Sequence, residues 1–130
     1  MLTYIENSQA DEMLQYEALG FHIVIDMYDI EIDDKGLIDL VEASIKVGKL
    51  TKISSHYHFY ENRFSGIILL AESHLSLHVC LTTKYAYLDV YTCGDPQGAI
   101  DCANFLQKSL NPKKVIQKAL HRGLIKPKYI

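Results

Sequence analysis

The sequence predicts an α+β domain: a two-layer sandwich with helices packed on one face of an antiparallel sheet. Three observations carry that reading. Segments rich in β-branched and aromatic residues crowd residues 52–93 with almost no spacer between them, and such density implies antiparallel pairing. Stretches with helical spacing of apolar residues stand before and after this block, giving the order strand, helix, several strands, helix. Finally, 130 residues at 48% hydrophobic and 22% charged can bury one core without staples and leave no room for a second domain.

The elements follow in order. Residues 1–18 are polar with scattered Leu, Met and Tyr, an N-terminal extension expected to be loosely ordered or a short helix on the domain, which itself spans 19–130. Gly20 opens a run in which Phe21, Ile23, Ile25 and Met27 alternate with His22, Val24, Asp26 and Tyr28, the pattern of a half-buried strand. Asp33 and Asp34 mark a helix start, Leu37, Leu40, Val41 and Ile45 keep helical spacing, and Gly48 is placed to cap the C-terminus. Strand segments LTKISSHYHFY, SGIILLAE, SHLSLHVC and KYAYLDVYTC come next, separated by ENRF, by no turn signal, and by LTT. Asp95 then reads as an N-cap with Pro96 at the first helical position, and Ala99, Cys102, Ala103, Phe105 and Leu106 form the apolar side of a second helix ending near Asn111–Pro112.

Charge and cysteine usage exclude several function classes. The net charge is −3, but residues 1–42 hold eleven Asp and Glu against Lys35 alone, whereas seven cationic side chains and no acidic one follow Asp101. That basic tail lacks aromatic interleaving and reads as a solvated end, so no nucleic-acid partner is expected. Cys80, Cys93 and Cys102 are odd in number and none belongs to a CxxC pair, as for reduced thiols of a cytoplasmic protein. The first eighteen residues carry four acidic groups and no basic n-region, and no apolar run approaches the roughly 20 residues of a membrane span. Neither a signal peptide nor a membrane partner is expected.

The segment SGIILLAESHLSLHVC gathers a carboxylate, three hydroxyls and two histidines in sixteen residues. His74 and His78, with His56 and His58, invite an imidazole-rich metal site, yet no carboxylate or cysteine stands at a spacing that fixes zinc geometry, and no metal is expected. Ser73 with His78 as its base invites a hydrolase, but the GxSxG elbow is missing. Residue chemistry alone leaves the function open.

Four blocks in register narrow it. Ser65-Gly66, then Ala71-Glu72-Ser73-His74-Leu75-Ser76-Leu77-His78, then Asp89-Val90-Tyr91-Thr92-Cys93-Gly94, with Leu19-Gly20-Phe21-His22 upstream and Asp95-Pro96 downstream, resemble the short prokaryotic type of S-adenosylmethionine decarboxylase proenzyme over most of residues 19–110. The resemblance implies a precursor that cuts itself between Glu72 and Ser73: the Ser73 hydroxyl turns the preceding amide into an ester, elimination gives dehydroalanine, and hydrolysis leaves a pyruvoyl group at residue 73. That group forms a Schiff base with the substrate amine and accepts the electrons left by carbon dioxide, with neither metal nor pyridoxal phosphate. By the same resemblance Cys93 returns a proton to the substrate, His78 is the processing base, Ser65 hydrogen-bonds the scissile carbonyl, and Phe59 stacks on adenine. It further implies a small cationic amino-acid substrate, a role in polyamine synthesis, and a homodimer with the site near the subunit boundary.

The match departs after His78. Family members continue there with an aromatic residue, a proline and a glutamate, whereas this chain has Val79-Cys80-Leu81-Thr82-Thr83-Lys84, and Phe21 replaces a usual basic residue. Two nucleoside contacts are thereby removed, which makes the same chemistry on L-ornithine or L-arginine the alternative to S-adenosylmethionine. A non-cleaving, non-catalytic dimeric regulatory homologue is the alternative of another class. The retained Glu72, Ser73, His78 and Cys93 speak against it.

Overall fold

The computed structural model describes residues 2–3, 16–32 and 35–127, with side chains for 18–32 and 35–123. In chain order the elements are β1 (Leu2–Thr3), β2 (Tyr16–Tyr28), α1 (Leu37–Val47), β3 (Lys52–Tyr60), β4 (Arg63–Leu70), β5 (Ser73–Cys80), β6 (Tyr85–Thr92), α2 (Pro96–Leu110) and β7 (Lys114–Pro127). The sheet order is β1-β7-β2-β6-β5-β4-β3. Six strands pair antiparallel, and β1 adds a parallel edge through Leu2–Lys118 and Thr3–Ala119. Strands β3 to β6 form a meander, while the two helices carry the chain from β2 to β3 and from β6 to β7. The expected α+β sandwich is the architecture adopted, and among the described residues no helix is long and apolar enough to cross a membrane.

Residues directly opposite one another in an antiparallel pair share a face of the sheet. One face presents Ile23, Ile25 and Met27 of β2, Leu88 and Val90 of β6, Leu75, Leu77 and Val79 of β5, and Ile68 and Leu70 of β4, all buried. Both helices cover it, α1 through Leu37, Val41 and Ile45 and α2 through Ala99, Cys102, Leu106 and Leu110. The other face carries no helix. It alternates polar and aromatic groups with the partly exposed Val24, Ile67, Leu69, Tyr87 and Ile116.

The helix ends follow their caps. In α2 the Asp95 side chain accepts from the Gln97 amide at 3.0 Å with Pro96 in the first turn, and Asn111 closes the helix at φ 46°. Helix α1 starts after Gly36 at φ 84° and is capped by Gly48; Asp33 and Asp34, expected to start it, lie outside the described residues. Gly48 and Gly98 are there for close approach. A Cβ on Gly98 would stand 2.7 Å from the Gly48 carbonyl oxygen, so the end of α1 meets the first turn of α2 backbone to backbone.

Two expectations need correction. The basic tail is not a free solvated end: Lys114–Pro127 is β7, paired with β2 along its length from Tyr28–Lys114 to Tyr16–Pro127. Only Val115 and Ala119 mark its inner side, too sparse a period-two signal to outweigh the charges, and long-range pairing with β2 decides the strand. The first strand also begins at Tyr16 instead of Gly20, and residues 2–3 join the sheet edge. The rest of the expected N-terminal extension, residues 1 and 4–15, lies outside the described residues.

The helix contact yields a prediction of non-obvious sign. Gly98→Ala gains helix propensity, about 1 kcal/mol, yet forces two backbones apart at about 1–3 kcal/mol, so urea unfolding should show net destabilisation. A stabilised variant would mean that the helices separate freely.

Candidate active site

The hairpin between β4 and β5 turns in two residues, Ala71 and Glu72, with Leu70 and Ser73 paired across it. Two-residue hairpin turns usually take Gly or Asn, whose backbones tolerate positive φ. Neither is present here, and the unusual torsion falls on Ser73, at φ 153°, where an L side chain is strained.

The strained residue is held on both sides. The Glu72 carbonyl accepts a hydrogen bond from the Cys93 amide at 2.8 Å. The Glu72 carboxylate accepts from the Thr51 amide at 3.0 Å and the Thr51 hydroxyl at 3.2 Å, and the Ala71 amide donates to the Thr51 carbonyl at 2.9 Å. The Thr51 amide bond, above all, holds the Glu72 carboxyl below its usual range. Cys93 follows the end of β6 with its side chain exposed, and the next amide, of Gly94, donates to the Thr92 hydroxyl at 2.9 Å. Cys102, by contrast, is a core thiol whose burial pushes it up to about 11. A cleft of about 350 Å³ adjoins this turn, lined among others by Lys49, Glu72, Thr92, Gly94, Asp95 and Asp101. Glu72, Ser73 and Cys93 therefore meet at one end of the sheet.

Ser65 and His78 form a second group. They are paired across β4 and β5 on the uncovered face, with the Ser65 hydroxyl 2.9 Å from His78 Nδ1, and the His78 ring stacks on Tyr87 at 4.8 Å. No bulge interrupts β5. Ser73 and His78, five residues apart, thus lie on opposite faces and roughly 17 Å apart along the strand, and one chain cannot bring them into contact. Phe59 belongs to neither group. It sits on edge strand β3, 47% exposed, with its ring 4.9 Å from that of Phe64.

The imidazole cluster conceivable from sequence does not assemble among the described residues. His74 turns instead to Asp89 of β6, whose Oδ2 accepts from His74 Nε2 at 2.9 Å and from His22 Nε2 of β2 at 2.7 Å, while Ser76 donates to Oδ1. Burial raises the Asp89 carboxyl, but hydrogen bonds from Ser76, His74 and His22 outweigh it and the net displacement is downward. An ionised carboxylate only accepts, so both imidazoles present N–H at Nε2. Arg122 accordingly faces the outer nitrogen of His22 at 3.4 Å. The three side chains hold potential metal-ligand atoms within 4.8 Å of one another, and the hydrogen bonds already account for each of those atoms.

Comparison with known proteins shows the family and the fold. Residues 21–123 match the family model for S-adenosylmethionine decarboxylase. The chain belongs to the S-adenosylmethionine decarboxylase family. It is 43% identical over 114 residues to the S-adenosylmethionine decarboxylase proenzyme of Hydrogenobaculum sp. (strain Y04AAS1), covering 84% of this chain and 85% of that one. It is 39% identical over 110 residues to the proenzyme of Thermoplasma volcanium, covering 81% and 85%. The crystal structure of the adenosylmethionine decarboxylase from Aquifex aeolicus superposes with a TM-score of 0.81 at 35% identity, over 88% of this chain and 98% of that chain.

Thr51, the Cys93 amide and the roles of His22 and Asp89 escaped the sequence reading. His22 and Asp89 stand inside the resembling blocks, which was the available signal, whereas Thr51 and a backbone donor leave none. Removal of Asp89 has a measurable signature. Its folded pKa lies below the ordinary carboxylate value, so its contribution is present at neutral pH and lost as pH falls through the folded value. Asp89→Asn should cost about 1–3 kcal/mol in urea unfolding at pH 7 and flatten the decline of stability below about pH 4.

Proposed function

We propose that the chain is the precursor of a pyruvoyl-dependent carboxy-lyase acting on S-adenosylmethionine in polyamine synthesis, self-cleaved between Glu72 and Ser73 and working as a cytoplasmic homodimer. The observation that carries this reading is the 2.8 Å hydrogen bond from the Cys93 amide to the Glu72 carbonyl, next to a Ser73 strained at φ 153°. A carbonyl already bound to a fixed N–H is polarised toward attack, and the same N–H meets the negative charge that develops on its oxygen. Departure from an unfavourable torsion further lowers the barrier to breaking the Glu72–Ser73 amide.

The residues then take roles in sequence. The Ser73 hydroxyl adds to the Glu72 carbonyl carbon and the amide C–N bond breaks, leaving an ester on Ser73 and a free amine. A base removes the Ser73 Cα proton and expels the Glu72 carboxylate. Water then enters the resulting dehydroalanine, ammonia leaves, and a pyruvoyl group remains. His78 fits the base and Ser65 the hydroxyl expected on the scissile carbonyl, but both stand roughly 17 Å along the sheet from their own Glu72–Ser73 bond, whose carbonyl accepts from the Cys93 amide instead. A second copy packed against the uncovered face, and reaching round the sheet end where Ser73 begins its strand, supplies its own Ser65–His78 pair. The exposed Val24, Ile67, Leu69, Tyr87 and Ile116 support burial of that face.

Ser73 and its surroundings fit the group they would generate, for residue 73 begins a strand beside an exposed thiol. The pyruvoyl ketone supplies an electrophile for a substrate amine and a sink for the electrons released with carbon dioxide. The proton returned to the substrate carbon is assigned in this reading to Cys93, an exposed free thiol next to Thr92, the pairing partner of residue 73. Phe59 pairs with Phe64 and through it with Val79, roughly 20 Å along the sheet from residue 73, so in this reading its exposed ring meets adenine from the second copy, as His78 does.

Intact mass under denaturing conditions tests the cleavage. Wild type should give chains of 72 and 58 residues, together the 130 of the precursor, and Ser73→Ala one chain. The processed protein should release carbon dioxide from S-adenosylmethionine; release from ornithine or arginine alone would overturn the substrate, and an uncleaved wild type the enzyme class. Complementation tests the shared site. Neither His78→Ala nor Ser73→Ala should cleave alone, and co-expression should restore cleavage of the His78→Ala chain only. No cleavage in the mixture would place the base within one chain.

A further inference from the structure

Cleavage after Glu72 would create two chain ends in the middle of a sheet, and such ends fray unless tied down. The end formed by Glu72 keeps its carboxylate on Thr51. The other begins at residue 73, the residue that reacts, and it loses the covalent neighbour that had constrained it. Displacement of a reacting group by 1 Å can cost about 100-fold in rate. Backbone pairing of residue 73 with Leu70 and Thr92 persists, but both partners stand at strand ends, where ladders are weakest.

Two side chains within the first four residues of that new chain, His74 and Ser76, converge on one carboxylate, Asp89 of the adjacent strand β6. They engage it at different oxygens, His74 at Oδ2 and Ser76 at Oδ1, which fixes the carboxylate plane as well as its position. From the opposite side His22 of β2 donates to Oδ2 at 2.7 Å and stacks edge-on against Tyr91 at 5.5 Å. Arg122 of β7 in turn faces the outer nitrogen of His22 and lies over the Tyr91 ring at 5.5 Å. Asp89 thereby links the first residues of the new chain to two strands beyond its own hairpin partner β4.

We propose that Asp89 is a positioning residue for the mature site: through His74 and Ser76, and braced by His22, it holds the chain end that carries residue 73 after the Glu72–Ser73 bond is cut. The inference rests on the cleavage proposed above. It assigns the network no part in bond breaking, since the Cys93 amide, Ser65 and His78 touch none of its hydrogen bonds.

The test compares wild type with Asp89→Asn, His74→Ala, His74→Gln and Ser76→Ala, each checked for folding by circular dichroism. Intact mass measures cleavage. Borohydride reduction with S-adenosylmethionine measures how fast an amine is captured on residue 73, and carbon dioxide release separates kcat from KM. Cleavage should stay within about threefold of wild type, while Asp89→Asn and His74→Ala lose about tenfold or more in capture rate and kcat, with KM little changed. Ser76→Ala, which removes one donor of three, should lose about threefold, and His74→Gln, which still offers an N–H, should recover most of the loss from His74→Ala. Wild-type capture in cleaved Asp89→Asn and His74→Ala overturns the inference. Folded variants that stay uncleaved overturn it as well, by moving the role to the precursor. An uncleaved wild type instead overturns the function on which it rests.

Discussion

The two-residue turn at Ala71–Glu72 is the constraint on which the rest of this site depends. Strands β4 and β5 must stay in register, because a slip of one residue would move Leu75, Leu77 and Val79 from the helix-covered core to the open face. With register set by that core and no glycine to take up the turn, the awkward torsion settles on Ser73. The buried face of the sheet therefore maintains an unfavourable torsion next to the Glu72–Ser73 bond. Thr51 and the Cys93 amide then hold the atoms on either side of that bond.

The same register divides the functional groups. Alternation along β5 sends Ser73 and His78 to opposite faces, so a helix-covered layer that stabilises the chain also separates the two residues proposed to act together. The second copy proposed above would resolve the conflict, and it would cover a face that leaves five apolar side chains partly in water.

Polar groups on the open face are organised by single acceptors and short pairs. On that face Asp89 collects three donors from two neighbouring strands, whereas on the helix-covered side Glu42 of α1 takes both Lys52 at 2.7 Å and the Tyr57 hydroxyl at the sheet edge. No buried side-chain nitrogen or oxygen among the described residues lacks a partner, which is what a half-buried polar sheet face requires if desolvation is not to outweigh its hydrogen bonds.

By itself the sequence determined the elements whose signals are local. The alternation in Phe21–Tyr28, the Asp95–Pro96 start of α2, the Gly48 cap and the crowded strands of the meander each follow from residues within a few positions of one another, and they suffice for the sandwich. The four blocks in register between Leu19 and Pro96 likewise sufficed for the family. Tertiary structure alone decided the rest. β7 exists because β2 offers it a partner more than eighty residues away, against a charged pattern that reads as solvated tail. The Asp89 network draws on β2, β5 and β6, and Thr51 reaches Glu72 across twenty-one residues. Such contacts are set by which strands lie side by side. That depends on burying one continuous apolar face under two helices, and no local window of sequence contains it.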